Sequence, residues 1–188
     1  MKVLCATVYI LTKRIDSAKN VRSVEDLKST VNNGWKQKGV YEGGKLHSQK
    51  RMTVKWKTNY QLEAQNEKGI SVKFDAPLTH GGEETALSPM ENVLASLAAC
   101  SSFHVLTILN KMKQNVKTYT VEATAERRES PSPRIFTKIH LNYVVKGPNI
   151  TPEAVKKAIN LSEEKYCSVG GMLKKVAEIT SSYEVSND

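Results

Sequence analysis

The chain is poor in the residues that mark several protein classes. It has three cysteines in 188 residues, too few for a disulfide-built secreted scaffold. Cys-x-x-Cys and Cys-x-x-His spacings are both missing, and His47, His80, His104 and His140 are scattered, so no zinc site is expected. No stretch approaches 18 consecutive apolar residues, and no membrane-spanning helix is expected. The glycine pairs Gly81-Gly82 and Gly170-Gly171 lack the strand–turn–helix setting of a phosphate-binding loop. There is no internal repeat and no low-complexity run. The six prolines all lie beyond residue 51.

What is present is enough apolar residue, 39%, to form a core. The net charge of +9 is unevenly spread: residues 1–51 hold 11 of the 28 Lys/Arg and 4 of the 19 Asp/Glu, which leaves that segment at +7 and the rest at +2. A nucleic-acid surface on the main body is therefore not indicated. Residues 1–51 read as a basic N-terminal extension of unassigned role, with Cys5 incidental, a short helix starting at Ser23 and a turn at Asn32-Asn33-Gly34. Its broken apolar start lacks a clear small-residue cleavage site, which argues against a secretory signal. Asp16, Glu25 and Asp26 count against a transit peptide. Residues 52–188 form the working domain, and Met52 is an alternative natural start.

Apolar alternation predicts one long strand through Val54, Trp56, Tyr60, Leu62 and Ala64, and a second through Ile70, Val72 and Phe74. Ser88-Pro89-Met90-Glu91 predicts the capped start of a long helix reaching Met112. Two further strands run through Tyr119–Ala123 and Ile135–Val145. A helix follows from Thr151 to about Lys165, then a short one near Cys167–Val176 and a last strand at Ile179–Val185. The order ββαββααβ predicts an α+β fold with antiparallel sheet.

Two cysteines remain as candidates for chemistry. Cys100 lies on the long helix in a stripe with Val93, Leu97, His104 and Thr107, where a small buried core residue is the plain alternative. His104, four residues on, is within reach of it, either as a partner or as a core histidine. Cys167 precedes a helix start, where free N–H groups and nearby Lys165 favour a thiolate; a buried cysteine at a bend is the alternative. Spacing alone does not pair them.

Ser88-Pro-Met-Glu-Asn-Val-Leu-Ala-Ser-Leu-Ala-Ala-Cys100 resembles the first cysteine helix of the OsmC/Ohr family, the osmotically inducible and organic hydroperoxide resistance proteins. Leu161-Ser-Glu-Glu-Lys-Tyr-Cys167-Ser-Val169 resembles that family's second cysteine motif, and Ile135–Leu141 the strand between them. The likeness spans about residues 52–186. It implies an OsmC-like fold, with antiparallel sheets wrapped around central helices in an intertwined homodimer. It also implies a cytoplasmic thiol-dependent peroxidase that reduces organic hydroperoxides without metal or bound cofactor. By that likeness Cys100 attacks the peroxide and Cys167 resolves the sulfenic acid as a disulfide, which a dithiol reductant, of lipoyl type by the same likeness, then opens. Neither nucleic acid nor membrane is an implied partner. Met90 stands where family peroxidases carry glutamate, and no arginine lies near Lys57–Gln61, with Arg127, Arg128 and Arg134 as stand-ins. These features resemble the OsmC-like branch. The alternative is a non-catalytic redox sensor or small-molecule binder of the same fold.

Overall fold

The long helix anticipated from Ser88 organises the fold. In the computed structural model, which describes residues 50–187, it is α1, Pro89–Lys111. Ser88 caps it reciprocally: Ser88 Oγ accepts from Glu91 N–H at 3.4 Å, and Glu91 Oε2 accepts from Ser88 N–H at 2.7 Å. That contact commits Glu91 to the helix start. The buried residues Leu97, Ser101, Val105 and Leu109 recur every four positions and form one inward stripe. α1 is long and apolar enough, by length and composition, to cross a bilayer, yet this stripe is packed into the protein core.

The sheet under that stripe contains β4 (Thr118–Arg127), β5 (Phe136–Lys146) and β6 (Glu178–Ser186), in that order. β5 is central. Its Phe136, Ile139, Leu141, Tyr143 and Val145 are buried, and the residues between them are not. Each such side chain contributes roughly 1.5–3 kcal/mol by leaving water. α2 (Pro152–Leu161) adds Ala154, Val155, Ala158 and Ile159 to the same core. A single π-helical turn, Ser162–Tyr166, follows, then the short α3, Ser168–Leu173.

A second three-stranded sheet is formed by β1 (Met52–Thr58), β2 (Gln61–Asn66) and β3 (Ser71–Phe74). The single long strand expected here is two. The chain reverses at Asn59-Tyr60, with Asn59 at φ 45°, and β1 and β2 pair antiparallel. Alternation continues across this tight turn, so the pattern does not reveal it. Every described pairing is antiparallel except β5–β6, which is parallel. The physical reason is the connection: α2, the π turn and α3 carry the chain back to the starting end of β5 before β6 begins. The helix expected to run to Lys165 ends as α-helix at Leu161 and widens into the π turn. The expected helix at Ser23, the turn at Asn32-Asn33-Gly34 and Cys5 lie outside the described residues.

Candidate functional site

Cys100 is half-buried on α1, and Cys167 is 5% exposed as the N-cap of α3. The fold brings these two residues together: the Cys100 thiol lies within hydrogen-bonding reach of Cys167. Both are free thiols.

Three hydroxyls hold the segments that carry them. Ser101 Oγ, next to Cys100, lies 2.6 Å from Tyr143 Oη on β5 and 3.0 Å from Ser162 Oγ at the head of the π turn. The Ser162 hydroxyl is also 3.2 Å from the Ser101 carbonyl, as its donor. All three residues are buried. Satisfied buried polar groups of this kind fix one arrangement, because breaking any contact leaves a desolvated group unpaired. The π turn closes with Cys167 N–H donating to Ser162 O at 2.8 Å, five residues back. The extra residue in that turn is what lets Ser162 face the core and Cys167 follow it inward. Ser101, Tyr143 and Ser162 were not singled out from the sequence. Tyr143 stands on the inner face of β5 by alternation, but nothing local marks its partners.

The N–H of Gly170 donates to Cys167 Sγ at 3.3 Å. Even so, burial pushes the Cys167 thiol up from its ordinary value, and the Cys100 thiol adds to this; the Gly170 and Val169 N–H groups only partly offset it. Of the two readings of Cys167, a thiolate favoured by the helix start and a buried cysteine at a bend, the second fits better: desolvation exceeds the helix-end donors. The Lys165 ammonium lies 5.5 Å from the centroid of the Tyr166 ring. His104 places its ring 5.8 Å from that of Tyr166, centroid to centroid, and so packs on the segment leading into Cys167.

Tyr119 on β4 is packed against the same core. Burial pushes its hydroxyl up to about 12. The Ser102 hydroxyl donates to Ala98 O at 2.7 Å, and among the described residues Tyr119 Oη has no hydrogen-bond partner.

Two of the three arginines named as stand-ins are committed to the β4–β5 turn. Arg127 donates to Arg134 O at 2.7 and 3.0 Å, and Arg128 donates to Pro133 O at 2.9 Å. Among the described residues, no group of three or more His, Cys, Asp or Glu is placed to hold a metal ion.

The family described as OsmC-like protein matches residues 81–182. The chain belongs to the OsmC-like family. Protein YhfA of Escherichia coli is 42% identical to this OsmC-like chain over 132 residues, which is 70% of this chain and 95% of that protein. A hypothetical protein of Aquifex aeolicus superposes with a TM-score of 0.66 at 30% identity, covering 76% of this chain and all of that one. An organic hydroperoxide resistance protein OsmC of Legionella pneumophila shares the fold, with a TM-score of 0.58 at 15% identity over 75% of this chain and 99% of that one. The OsmC-like fold expected from the cysteine motifs is therefore present, and it is a fold shared with a protein named for resistance to organic hydroperoxides.

Proposed function

We propose that this OsmC-like protein is a cytoplasmic, homodimeric thiol-dependent peroxidase acting on organic hydroperoxides in oxidative stress defence. The observation that carries the reading is the meeting of Cys100 and Cys167, 67 positions apart, with one thiol half-buried and the other enclosed. The Cys100 thiolate attacks the peroxide O–O bond, taking one oxygen as sulfenic acid and releasing the alcohol. Cys167 condenses with that sulfenic acid, forming the disulfide and releasing water. Its raised thiol pKa suits this order, since it stays protonated and inert until a sulfenic acid is beside it. A dithiol returns the pair to thiols. Residues 52–188 carry this chemistry, and residues 1–51 are an extension outside it. The homodimer is supported by apolar side chains that face outward, Phe103 on α1 at 74% and Trp56 on β1 at 70% exposure.

The test is a thiol count on the denatured protein before and after one equivalent of cumene hydroperoxide, with Cys100→Ser in parallel. The parent loses two thiols and the variant none. Retention of all thiols in the parent over minutes would overturn the reading. One observation favours the alternative of a redox sensor: Arg127 and Arg128 are bonded to turn carbonyls rather than placed to support a thiolate. A sensor would lose the same two thiols yet turn over slowly with excess dithiothreitol, and steady-state rates separate the two.

A further inference from the structure

Cys167 has a second face. Beside it is a cavity of about 310 Å³ lined by Leu97, Leu141, Ile179, Glu163, Lys174 and Cys167 among others; Cys100 does not line it. At about 30 Å³ per water-sized group it has room for on the order of ten heavy atoms. Leu97, Leu141, Ala177 and Ile179 supply its aliphatic wall, with Glu163, Lys174 and Glu178 as the charged groups.

Glu163 is unusual there. Its Oε1 is buried with no hydrogen-bond partner among the described residues, although the residue belongs to the π turn four positions before Cys167. Backbone at this point is pinned, since Lys174 Nζ donates to Glu163 O at 2.7 Å. A carboxylate oxygen without a partner is costly in a folded protein unless something supplies a donor.

We propose that this cavity admits a small uncharged alkyl dithiol to the Cys100–Cys167 disulfide, and that Glu163 accepts its proton. The inference rests on the two-cysteine reading above and assigns its reductive half to a separate entrance. A molecule in the cavity reaches Cys167 and not Cys100. Thiol–disulfide exchange needs the incoming sulfur roughly in line with the bond that breaks, and the cavity offers an approach to Cys167 apart from Cys100. The donor S–H passes its proton to Glu163, and its sulfur bonds to Cys167 Sγ. The Cys100–Cys167 bond breaks, and its electron pair leaves on Cys100 as thiolate. The donor's second thiol then attacks the donor sulfur of the mixed disulfide and releases its proton to solvent. Cys167 departs and takes the proton held by Glu163. The dithiol ends as a disulfide, two electrons poorer, and the protein has regained both reduced sulfurs.

The surroundings suit Glu163 to this role. Burial pushes its carboxyl up, towards the range of the thiol it serves, against the pull of the Ser181 hydroxyl and the Lys174 ammonium; neighbouring Glu164 pushes the same way as burial. Glu178 on β6, Tyr143 on β5 and Cys167 are the other titratable groups around it.

The experiment starts from disulfide made with diamide in the full-length protein, so that it does not depend on peroxide. Reduction by excess dithiothreitol is followed by quenched thiol counts from pH 6 to 8, for the parent, Glu163→Gln and the cavity-filling Ile179→Phe, each checked for folding by circular dichroism. Glu163→Gln is expected to slow reduction at least tenfold at pH 7. Its rate should rise close to tenfold per pH unit, following free thiolate, while the parent's rises less steeply. Ile179→Phe should be slow at every pH with the parent's slope. Parent-like rates and slope in Glu163→Gln would overturn the proposal, as would failure of diamide to form the disulfide. Diamide succeeding where cumene hydroperoxide fails would sink the peroxidase reading alone.

Discussion

β1 and β5 obey the same alternation and meet opposite fates. In β1 the apolar set is Met52, Val54 and Trp56, and all seven residues of the strand are exposed. In β5 five of eleven residues are buried, under α1 and α2. The β1–β3 sheet packs chiefly on itself, whereas β4–β6 shares a core with three helices. Alternation therefore reports that a strand has an apolar face; it does not report that the same chain covers it. A sheet with one such face bare is stable only with help, because a lone small sheet buries too little. On the proposed reading that help is a second copy of the chain.

Four measurements sharpen or break this contrast. The largest effect is expected from Leu109→Ala in the helical half. Leu109 is fully buried, and its truncation should cost about 2–5 kcal/mol in denaturant unfolding. A cost under 1 kcal/mol would mean the core is looser than its packing indicates. Next is Ser101→Ala, which strips the partner from Tyr143 Oη and should cost about 1–3 kcal/mol. It should also slow disulfide formation between Cys100 and Cys167, measured by thiol loss after diamide. Third, Trp56→Ser on the bare sheet should weaken self-association at least tenfold in sedimentation. Its effect on unfolding should grow with protein concentration, and an effect independent of concentration would place Trp56 outside any dimer contact.

The smallest effect belongs to the loop that leads out of the bare sheet. Buried Asp75 accepts from Ala76 N–H, Glu83 N–H, Thr85 N–H and the Thr85 hydroxyl. The Thr85 N–H is the strongest influence holding its carboxyl below the ordinary carboxylate value. Because the folded pKa is the lower one, this stabilisation is complete above the unfolded value of about 3.9 and is lost as pH falls through the folded value. Asp75→Asn should therefore lower the melting temperature at pH 7 and close on the parent in stronger acid. An undiminished gap below pH 3 would mean charge is not what holds the loop.

Legibility from sequence followed the range of the interactions. The α1 cap was readable because Ser88 and Glu91 are three residues apart. The inner face of β5 was readable because alternation is local. The break at Asn59-Tyr60 was hidden, since a tight turn preserves the period on both sides. The parallel β6 was hidden because direction is set by the crossover, not by the strand. At the site, spacing names the two cysteines without pairing them, and only the family resemblance implies the pair. Their proximity rests on Ser101, Tyr143 and Ser162, contacts spanning 42 and 61 positions. Helix-end donors could be foreseen at Cys167, whereas the desolvation that outweighs them depends on how deeply the fold encloses it.

The hydroxyl junction between α1, β5 and the π turn is uncharged throughout. Serine hydroxyls do not ionise in the ordinary range, and burial pushes the Tyr143 phenol far beyond it. The spacing of Cys100 and Cys167 is thus maintained by a frame indifferent to acidity. Across neutral and mildly alkaline conditions that mounting stays the same, so a change in reactivity there reports proton transfer at the reacting groups, Glu163 among them on the proposed reading, and not a shift of scaffold.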